Sequence, residues 1–402
     1  MYNRKMIVMN NYKKLVKFNQ KRLANYINNL SVIEKNKILE QLNNVDLNLI
    51  NKLYINSYID EQLILDKVSF LKCVNSNNDK DIEKIGKKTI ENGEYAIVIM
   101  AGGNASRLGI PKPKGTLMIN NNGIMMSLFE IFINQLIDIY NELKVYINLY
   151  IMTSNSNDLD TRDFFEKNNY FGYPKNKIKF FIQDNIPLID TFGNILLKEK
   201  DELWLVPNGN GNVFKSLKNN GLIKDMKNNN IKYCLFTGVD NPLTKLIDYN
   251  FIGTTIFNNY KLSSKTIYKE NPDSLEWVFC KYKNKPYMLD NNHIKFFNDV
   301  KDKSGNYLYR ETNMMYHLIH IDYIEKFSKL NLKYHRSYKR YNYINSDMQL
   351  VKPDIPNAFK FEQFIYDAFF YADDMLLYRV TKDEFCPIKT KEDILKVEKL
   401  LN

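Results

Sequence analysis

Hydrophobic residues near the start of the chain recur at helical spacing: Leu23, Ile27 and Leu30, then Ile38, Leu39 and Leu42, then Leu47, Leu49, Ile50 and Leu53. The pattern predicts helices from about Leu15 to Tyr58, with Ser31 and Glu34 placed for a capping box at the head of the second. Polar residues from Asn75 to Lys80 then lead to a further short helix near Ile82–Glu91. The apolar faces of these helices are expected to cover the main domain.

Periodicity changes at Tyr95–Met100, an unbroken apolar run with Ile97, Val98 and Ile99 at its centre. Such a run fits a strand buried on both faces. Leu128, Ile131, Phe132, Leu136 and Ile139 return to helical spacing and predict a crossover helix over Ser127–Tyr140, followed by a strand at Val145–Met152. Alternation continues with a helix near Thr161–Asn168 and strands at Lys179–Ile182, Leu203–Val206 and Tyr233–Val239. Repeated βαβ units predict an α/β fold with a mostly parallel mixed sheet flanked by helices. Further on, Lys269–Pro272 and Trp277–Lys281 suit a strand pair, Phe361, Phe364, Ile365, Ala368 and Phe369 a helix, and Met375–Val380 a strand.

In a parallel sheet ligands sit at the carboxyl ends of the strands. On this reading that edge carries the Gly102 loop, Met152-Thr153-Ser154, Gln183, the run Pro207-Asn208-Gly209-Asn210-Gly211, and Asp240-Asn241. Each also has a plainer explanation, since Asn-Gly-Asn-Gly is a good turn sequence and an aspartate closing a strand can cap or turn. What groups them is that all are expected to end strands of one sheet.

Composition narrows the choices. With 402 residues and 13% aromatics the chain has ample material for a core, and disorder is excluded. The net charge of +11 is spread along the chain, with one short basic stretch from His335 to Arg340, so it reads as a solvated surface that also attracts anionic substrates, not as a nucleic-acid arm. Cys73, Cys234, Cys280 and Cys386 lie far apart and form no C-x-x-C pair, which argues against structural zinc and a disulfide framework. Met1–Lys14 is polar apart from a brief Met6–Met9 patch and does not read as a signal peptide, and no run approaches the roughly 20 apolar residues of a membrane span. A cytoplasmic location without membrane or nucleic-acid partners is the resulting expectation. His317 and His320 are three apart, but no third ligand motif accompanies them, so strand or core positions are expected.

The chemistry concentrates in the loop after Tyr95–Met100. Gly102 and Gly103 are followed by Asn104-Ala105-Ser106, Arg107-Leu108-Gly109, and the pairs Pro111-Lys112 and Pro113-Lys114 with Gly115 behind them. Glycines allow close backbone approach and aim N–H groups outward, and Arg and Lys add positive charge, which together suit a polyphosphate. The loop matches neither G-x-x-x-x-G-K-[ST] nor G-x-G-x-x-G.

Gly-Gly-x(3)-Arg-Leu-Gly with Pro-Lys-Gly behind it resembles the signature of the UDP-N-acetylglucosamine pyrophosphorylases, a uridylyltransferase family. Ala105 stands where the family usually has a second glycine and Ser106 where it has threonine, so a loop of the same path is expected. The likeness runs from about residue 95 to 390 through V-P-N-G-N-G-N-V-F-K-S-L, Val239-Asp240-Asn241, Asn313 in E-T-N-M-M-Y-H, Lys352-Pro353-Asp354-x-Pro356-Asn357 and Asp383-Glu384-Phe385-x-Pro387-Ile388-Lys389. It implies a Rossmann-like nucleotide-diphospho-sugar transferase fold, with a helical segment over 1–91, a catalytic domain over 92–386 and a short tail over 387–402. Family members continue into a further C-terminal domain that this sequence essentially lacks, so oligomerisation assigned to that domain is not expected and a monomer or weak homo-oligomer is.

The implied reaction joins UTP and N-acetylglucosamine 1-phosphate and releases pyrophosphate. Its nucleophile is already an anion, so the task is positioning and cationic stabilisation. The resemblance implies catalytic roles for Arg107, Lys114 and Lys389, and nucleotide contacts from Ala101, Gly102, Gly103, Gln183, Asn208, Gly209, Asn210 and Gly211. Asn241, Asp290, Asn313 and Lys352 are the implied sugar contacts, and Asp240 is the candidate ligand for Mg2+ bridging the phosphates. Asp290 takes the place of the family's acidic E-Y-S-E segment, which keeps glucose or N-acetylgalactosamine 1-phosphate open as the acceptor. Ala105 and the short tail leave open a nucleotide-binding relative without catalysis.

Overall fold

The computed structural model describes residues 12–56, 63–271, 273–274 and 276–401; the expectations that concern Met6–Met9, Tyr58 and Pro272 lie outside them. The chain forms two compact units, one of Leu63–Gln183, Gly211–Leu332 and Ile365–Asn402, the other of Met1–Gln62, Asp184–Asn210 and Lys333–Phe364.

The larger unit is built on a sheet of eleven strands among the described residues. Its main path uses β1 (Cys73–Asn75), β2 (Tyr95–Met100), β3 (Asn148–Thr153), β4 (Ile178–Ile182), β5 (Tyr233–Gly238), β6 (Leu262–Tyr268), β7 (Glu311–His320) and β8 (Leu376–Arg379). Across the sheet the order is β1-β8-β6-β7-β5-β2-β3-β4. All pairs are parallel except those of β7, which runs against both β5 and β6, so every other strand on the path points the same way. The expected mostly parallel α/β sheet is what forms.

β2 is central because its sequence allows it: Ala96, Ile97, Val98 and Ile99 are wholly buried, paired to β3 on one side and β5 on the other. Ile97 and Ile99 join one core layer with Leu128, Phe132, Leu136, Phe165 and Phe251, while Val98 joins the other with Phe214, Leu217, Phe236, Ile324 and Phe369. Each such side chain contributes about 1.5–3 kcal/mol by leaving water. The crossover helix α1 (Leu128–Leu143) opens with Ser127 and Glu130 in a reciprocal capping box and ends with Lys144 in the left-handed region. The helix Asp158–Lys167 follows β3, and Tyr249–Phe257 precedes β6.

Three elements differ from the sequence reading. Lys269–Asn271 does not pair with Val278–Tyr282, because β6 ends at Tyr268; the partner is Lys285–Leu289 across a turn in which Lys283 and Asn284 both have positive φ. Two consecutive left-handed residues are what a tight hairpin requires. Leu203–Val206 does not join the main sheet. Leu203 pairs antiparallel with Leu197, and Leu205–Pro207 pairs with Asn185–Pro187 in the smaller unit. Finally, Phe361 lies on a strand, Ala358–Glu362, where buried Phe359 and Phe361 alternate with Lys360 and Glu362; a 3-10 helix starts only at Ile365.

In the smaller unit the helices Lys21–Asn28, Val32–Asn43 and Leu47–Asn56 form as predicted, and the Ser31–Glu34 capping box is present. Their Leu23, Ile27, Ile38 and Leu42 share a core with Ile186, Leu188, Leu203, Ile344 and Phe359. Buried Gln20 donates to the Gly193 carbonyl and accepts from the Ile195 amide, both at 2.8 Å. No described helix is long and apolar enough to cross a membrane.

Candidate active site

The loop leaving β2 is held from several directions. The Ala101 amide donates to the Met152 carbonyl at the end of β3, Ala105 donates to Lys112, and Lys114 donates to Gly103. From the far side, buried Asn157 directs its Nδ2 to the carbonyls of Ala101 (2.9 Å) and Gly103 (3.3 Å). Asn157 occupies the N-cap position of the helix Asp158–Lys167 yet does not cap it, because its Oδ1 accepts from the Ser154 amide at 2.8 Å and hydroxyl at 3.1 Å. With these carbonyls turned inward, the amides of Gly102 and Gly103 donate to nothing among the described residues. They are oriented donors awaiting an acceptor.

A Cβ on Gly102 would lie 2.0 Å from Gln183 Nε2, so any larger residue there would push the Gln183 side chain aside. Gln183 closes β4, is buried, and its own amide side chain makes no hydrogen bond among the described residues, which leaves a donor and an acceptor beside the glycines. Ala105 sits at φ −82° with its methyl buried in the core, a conformation that does not require glycine. Arg107 is exposed and makes no ion pair among the described residues.

β5 delivers the second set of groups. Past its end the Val239 amide donates to Met100, which lays Asp240 across the end of β2. Lys114 Nζ is 3.5 Å from Asp240 Oδ2. Asn241 is buried and spends both ends of its amide on a distant stretch of chain, donating to the Glu384 carbonyl at 2.9 Å and accepting from the Cys386 amide at 3.0 Å. Ile388 then donates to the Asp240 carbonyl, which leaves exposed Lys389 one residue further on, at the head of the helix Lys391–Leu401.

A wholly buried lysine anchors the same stretch. Lys265 of β6 reaches Asp248 Oδ2 at 2.6 Å and Glu384 Oε2 at 2.8 Å and lies over the Tyr316 ring, while Lys245 takes the other oxygen of Glu384. Asn157 and Lys265 were absent from the sequence reading. Asn157 had a signal, being a polar residue just past a strand of the same sheet; Lys265 had none, because its partners are distant in sequence.

Asp290 caps the short helix Asn291–Ile294, where its Oδ1 accepts from the Asn292 and His293 amides and meets His293 Nδ1. Asn313 accepts from the Met315 amide within a bulge of β7, where Met315 has a φ of 55°. Asn208, Gly209 and Asn210 belong to the smaller unit, and so does exposed Lys352; Gly211 opens a segment of the larger one. Gly209 has a φ of 97°, and a Cβ on it would lie 2.2 Å from the Gln363 carbonyl oxygen. Beside it, Asn208 Oδ1 is buried without a hydrogen-bond partner. His317 is a core residue as expected, bonded to Ser264 at 2.5 Å, and its burial lowers its pKa to about 3. All four cysteines are free.

Residues 47–401 match the family model described as UTP–glucose-1-phosphate uridylyltransferase. The chain belongs to this uridylyltransferase family. A Saccharomyces cerevisiae relative named UDP-N-acetylglucosamine pyrophosphorylase is 33% identical over 304 residues, covering 73% of this chain and 64% of its own. UDP-N-acetylglucosamine diphosphorylase 2 of Arabidopsis thaliana is 28% identical over 408 residues, covering 94% and 78%. Among solved structures, the uridine diphosphate N-acetylglucosamine pyrophosphorylase of Trypanosoma brucei superposes with a TM-score of 0.80 at 24% identity, over 99% of this chain and 84% of that one. The uridylyltransferase fold and the glycine-loop resemblance therefore agree.

Proposed function

We propose that this chain transfers the uridylyl group of UTP to N-acetylglucosamine 1-phosphate, forming UDP-N-acetylglucosamine and pyrophosphate. The observation that carries the reading is the convergence on one sheet edge of the unbonded Gly102 and Gly103 amides, the Gln183 side chain, the Lys114–Asp240 pair and the stretch leading to Lys389. The names of the relatives choose the sugar.

In this reading the glycine amides receive phosphate oxygens and Gln183 meets the base with one donor and one acceptor. The phosphate of the sugar substrate attacks the α-phosphorus in line, and pyrophosphate leaves. Arg107 stabilises the departing charge, Lys114 the α-phosphate, and Lys389 the incoming phosphate. Fixed donors of this kind need no reorganisation as charge shifts, which is where their rate advantage lies. Asn241 acts by positioning, since both ends of its amide hold the stretch that leads to Lys389.

Asp240 is the residue that would hold Mg2+. Its carboxylate is partly exposed, and the described residues contain no group of three or more His, Cys, Asp or Glu that forms a protein cage, which fits an ion that keeps phosphate and water as its other ligands. Bound there, the ion supplies neutralisation of phosphate charge.

The test is pyrophosphate release from UTP and Mg2+ with N-acetylglucosamine, glucose and N-acetylgalactosamine 1-phosphates in parallel. Fastest release with the first supports the reading. Faster release with either of the others reassigns the sugar, and no release with any of them overturns the activity.

A further inference from the structure

At the carboxyl edge of the same sheet, away from the glycine loop, two cations are buried that form no ion pair among the described residues. Lys269 follows the last residue of β6 and Arg310 precedes the first of β7, and they face each other across the ladder, the Lys269 amide donating to the Arg310 carbonyl at 2.7 Å. Opposed residues of an antiparallel pair present their side chains on one face. Lys269 is 2% exposed and Arg310 3%.

Arg310 is fixed in place. Its Nη2 donates to the Asn298 carbonyl at 2.8 Å and its guanidinium lies over the Tyr307 ring. Yet Arg310 Nε and Nη1 and Lys269 Nζ are buried without a hydrogen-bond partner. Among the described residues neither cation forms an ion pair. Glu276 and Asp273 act on Lys269 only through space, and both are exposed. Burial therefore dominates, and with Arg310 beside it Lys269 is held below its usual pKa. A buried cation without a partner is destabilising, and a pair of them more so. Their unused donors, a planar fork and a point charge, are what a tetrahedral oxyanion satisfies.

We propose that Lys269 and Arg310 form an oxyanion receptor for a phosphate group. β6 lies two strands from β5 and three from β2, on the order of 10 and 14 Å away at the usual strand spacing. That offset sets the pair apart from Arg107 and Lys114. The ligand is free inorganic phosphate, because the attacking sugar phosphate must lie at the α-phosphorus beside Lys114 and Lys389; the proposal therefore stands apart from the uridylyltransferase reading.

The experiment titrates the whole protein with inorganic phosphate at constant ionic strength, following thermal stability, in wild type, Arg310→Gln and Lys269→Met. An Arg107→Ala protein, titrated alongside, removes one of the glycine-loop cations as a competing site. The expected result is a saturable rise in Tm that persists in Arg107→Ala and needs at least about tenfold more phosphate in Arg310→Gln and Lys269→Met, the scale of a lost charge-assisted hydrogen bond. Unchanged KM values for both substrates beside weakened phosphate binding support a receptor separate from the reacting phosphates, and a KM for the sugar phosphate raised by a similar factor overturns that separation. Because the titration needs no turnover, a protein without uridylyltransferase activity can still pass it. Phosphate responses identical in wild type and both variants, with KM unchanged, overturn the proposal. So does failure of both variants to fold, which would place the pair in the framework.

Discussion

The amide of Ile388 donates to the carbonyl of Asp240 at 2.8 Å. One backbone bond thus joins the end of a central strand to a stretch near the end of the chain, with Lys389 the next residue after it, while the Asp240 carboxylate neighbours Lys114. The cations of the site are therefore placed by backbone geometry, and mutations that loosen that geometry should behave differently from mutations that remove charge.

Removal of charge is tested by Arg107→Ala. Arg107 is exposed and has no ion pair among the described residues, so the fold should not change. Turnover should fall by on the order of 10²-fold or more, the loss typical of one transition-state donor. Steady-state pyrophosphate release beside a thermal melt separates the two effects, and a variant with wild-type turnover would remove Arg107 from the mechanism.

Loosening is tested by Asn241→Ala. The substitution strands the Glu384 carbonyl and the Cys386 amide, at a cost of about 1–3 kcal/mol. Turnover should fall together with protection of the 384–388 amides in hydrogen exchange. Lost turnover with unchanged exchange would mean that Asn241 touches substrate directly.

Lys265→Met leaves Asp248 and Glu384 without their buried cation and should destabilise the protein by about 3–5 kcal/mol. Adding Asp248→Asn should recover part of that loss, because the carboxylate left without a cation goes with it while Glu384 keeps Lys245. Denaturant titration of the single and double variants measures the difference; a double variant less stable than Lys265→Met contradicts the assignment.

His317 gives the stability a pH dependence. Its folded pKa, about 3, lies below the ordinary value of 6.5, so between them the unfolded chain binds a proton that the folded one refuses. Its contribution is complete above pH 6.5 and is lost as pH falls toward 3, at no more than about 1.4 kcal/mol per pH unit. Urea midpoints at pH 7 and pH 5 should differ more in wild type than in His317→Gln. Equal differences would show that other groups set the acid limb.

The sequence was legible where chemistry is local. β2, its glycine loop, the crossover helix and the Ser31–Glu34 capping box are written in consecutive residues, and the structure contains each of them. Interactions between distant residues were not legible. Nothing near Lys265 announces Asp248 and Glu384, and nothing near Asn241 announces the backbone of Glu384 and Cys386. Short strands were lost for a related reason: Leu203 and Leu205 sit on two different ladders, which no single period describes. The helix cap made by Asp290 was not legible either, because it depends on a turn that the residues Asn291–Ile294 do not advertise.

The smaller unit takes its residues from three separated stretches, and the chain passes between units at 62/63, 183/184, 210/211, 332/333 and 364/365. During synthesis its N-terminal helices leave the ribosome long before residues 333–364, which carry Phe359 and Phe361 of their core, have been made. That core is completed late, so a nascent chain halted before residue 333 should hold those helices without their full packing, and no single contiguous fragment contains either unit alone.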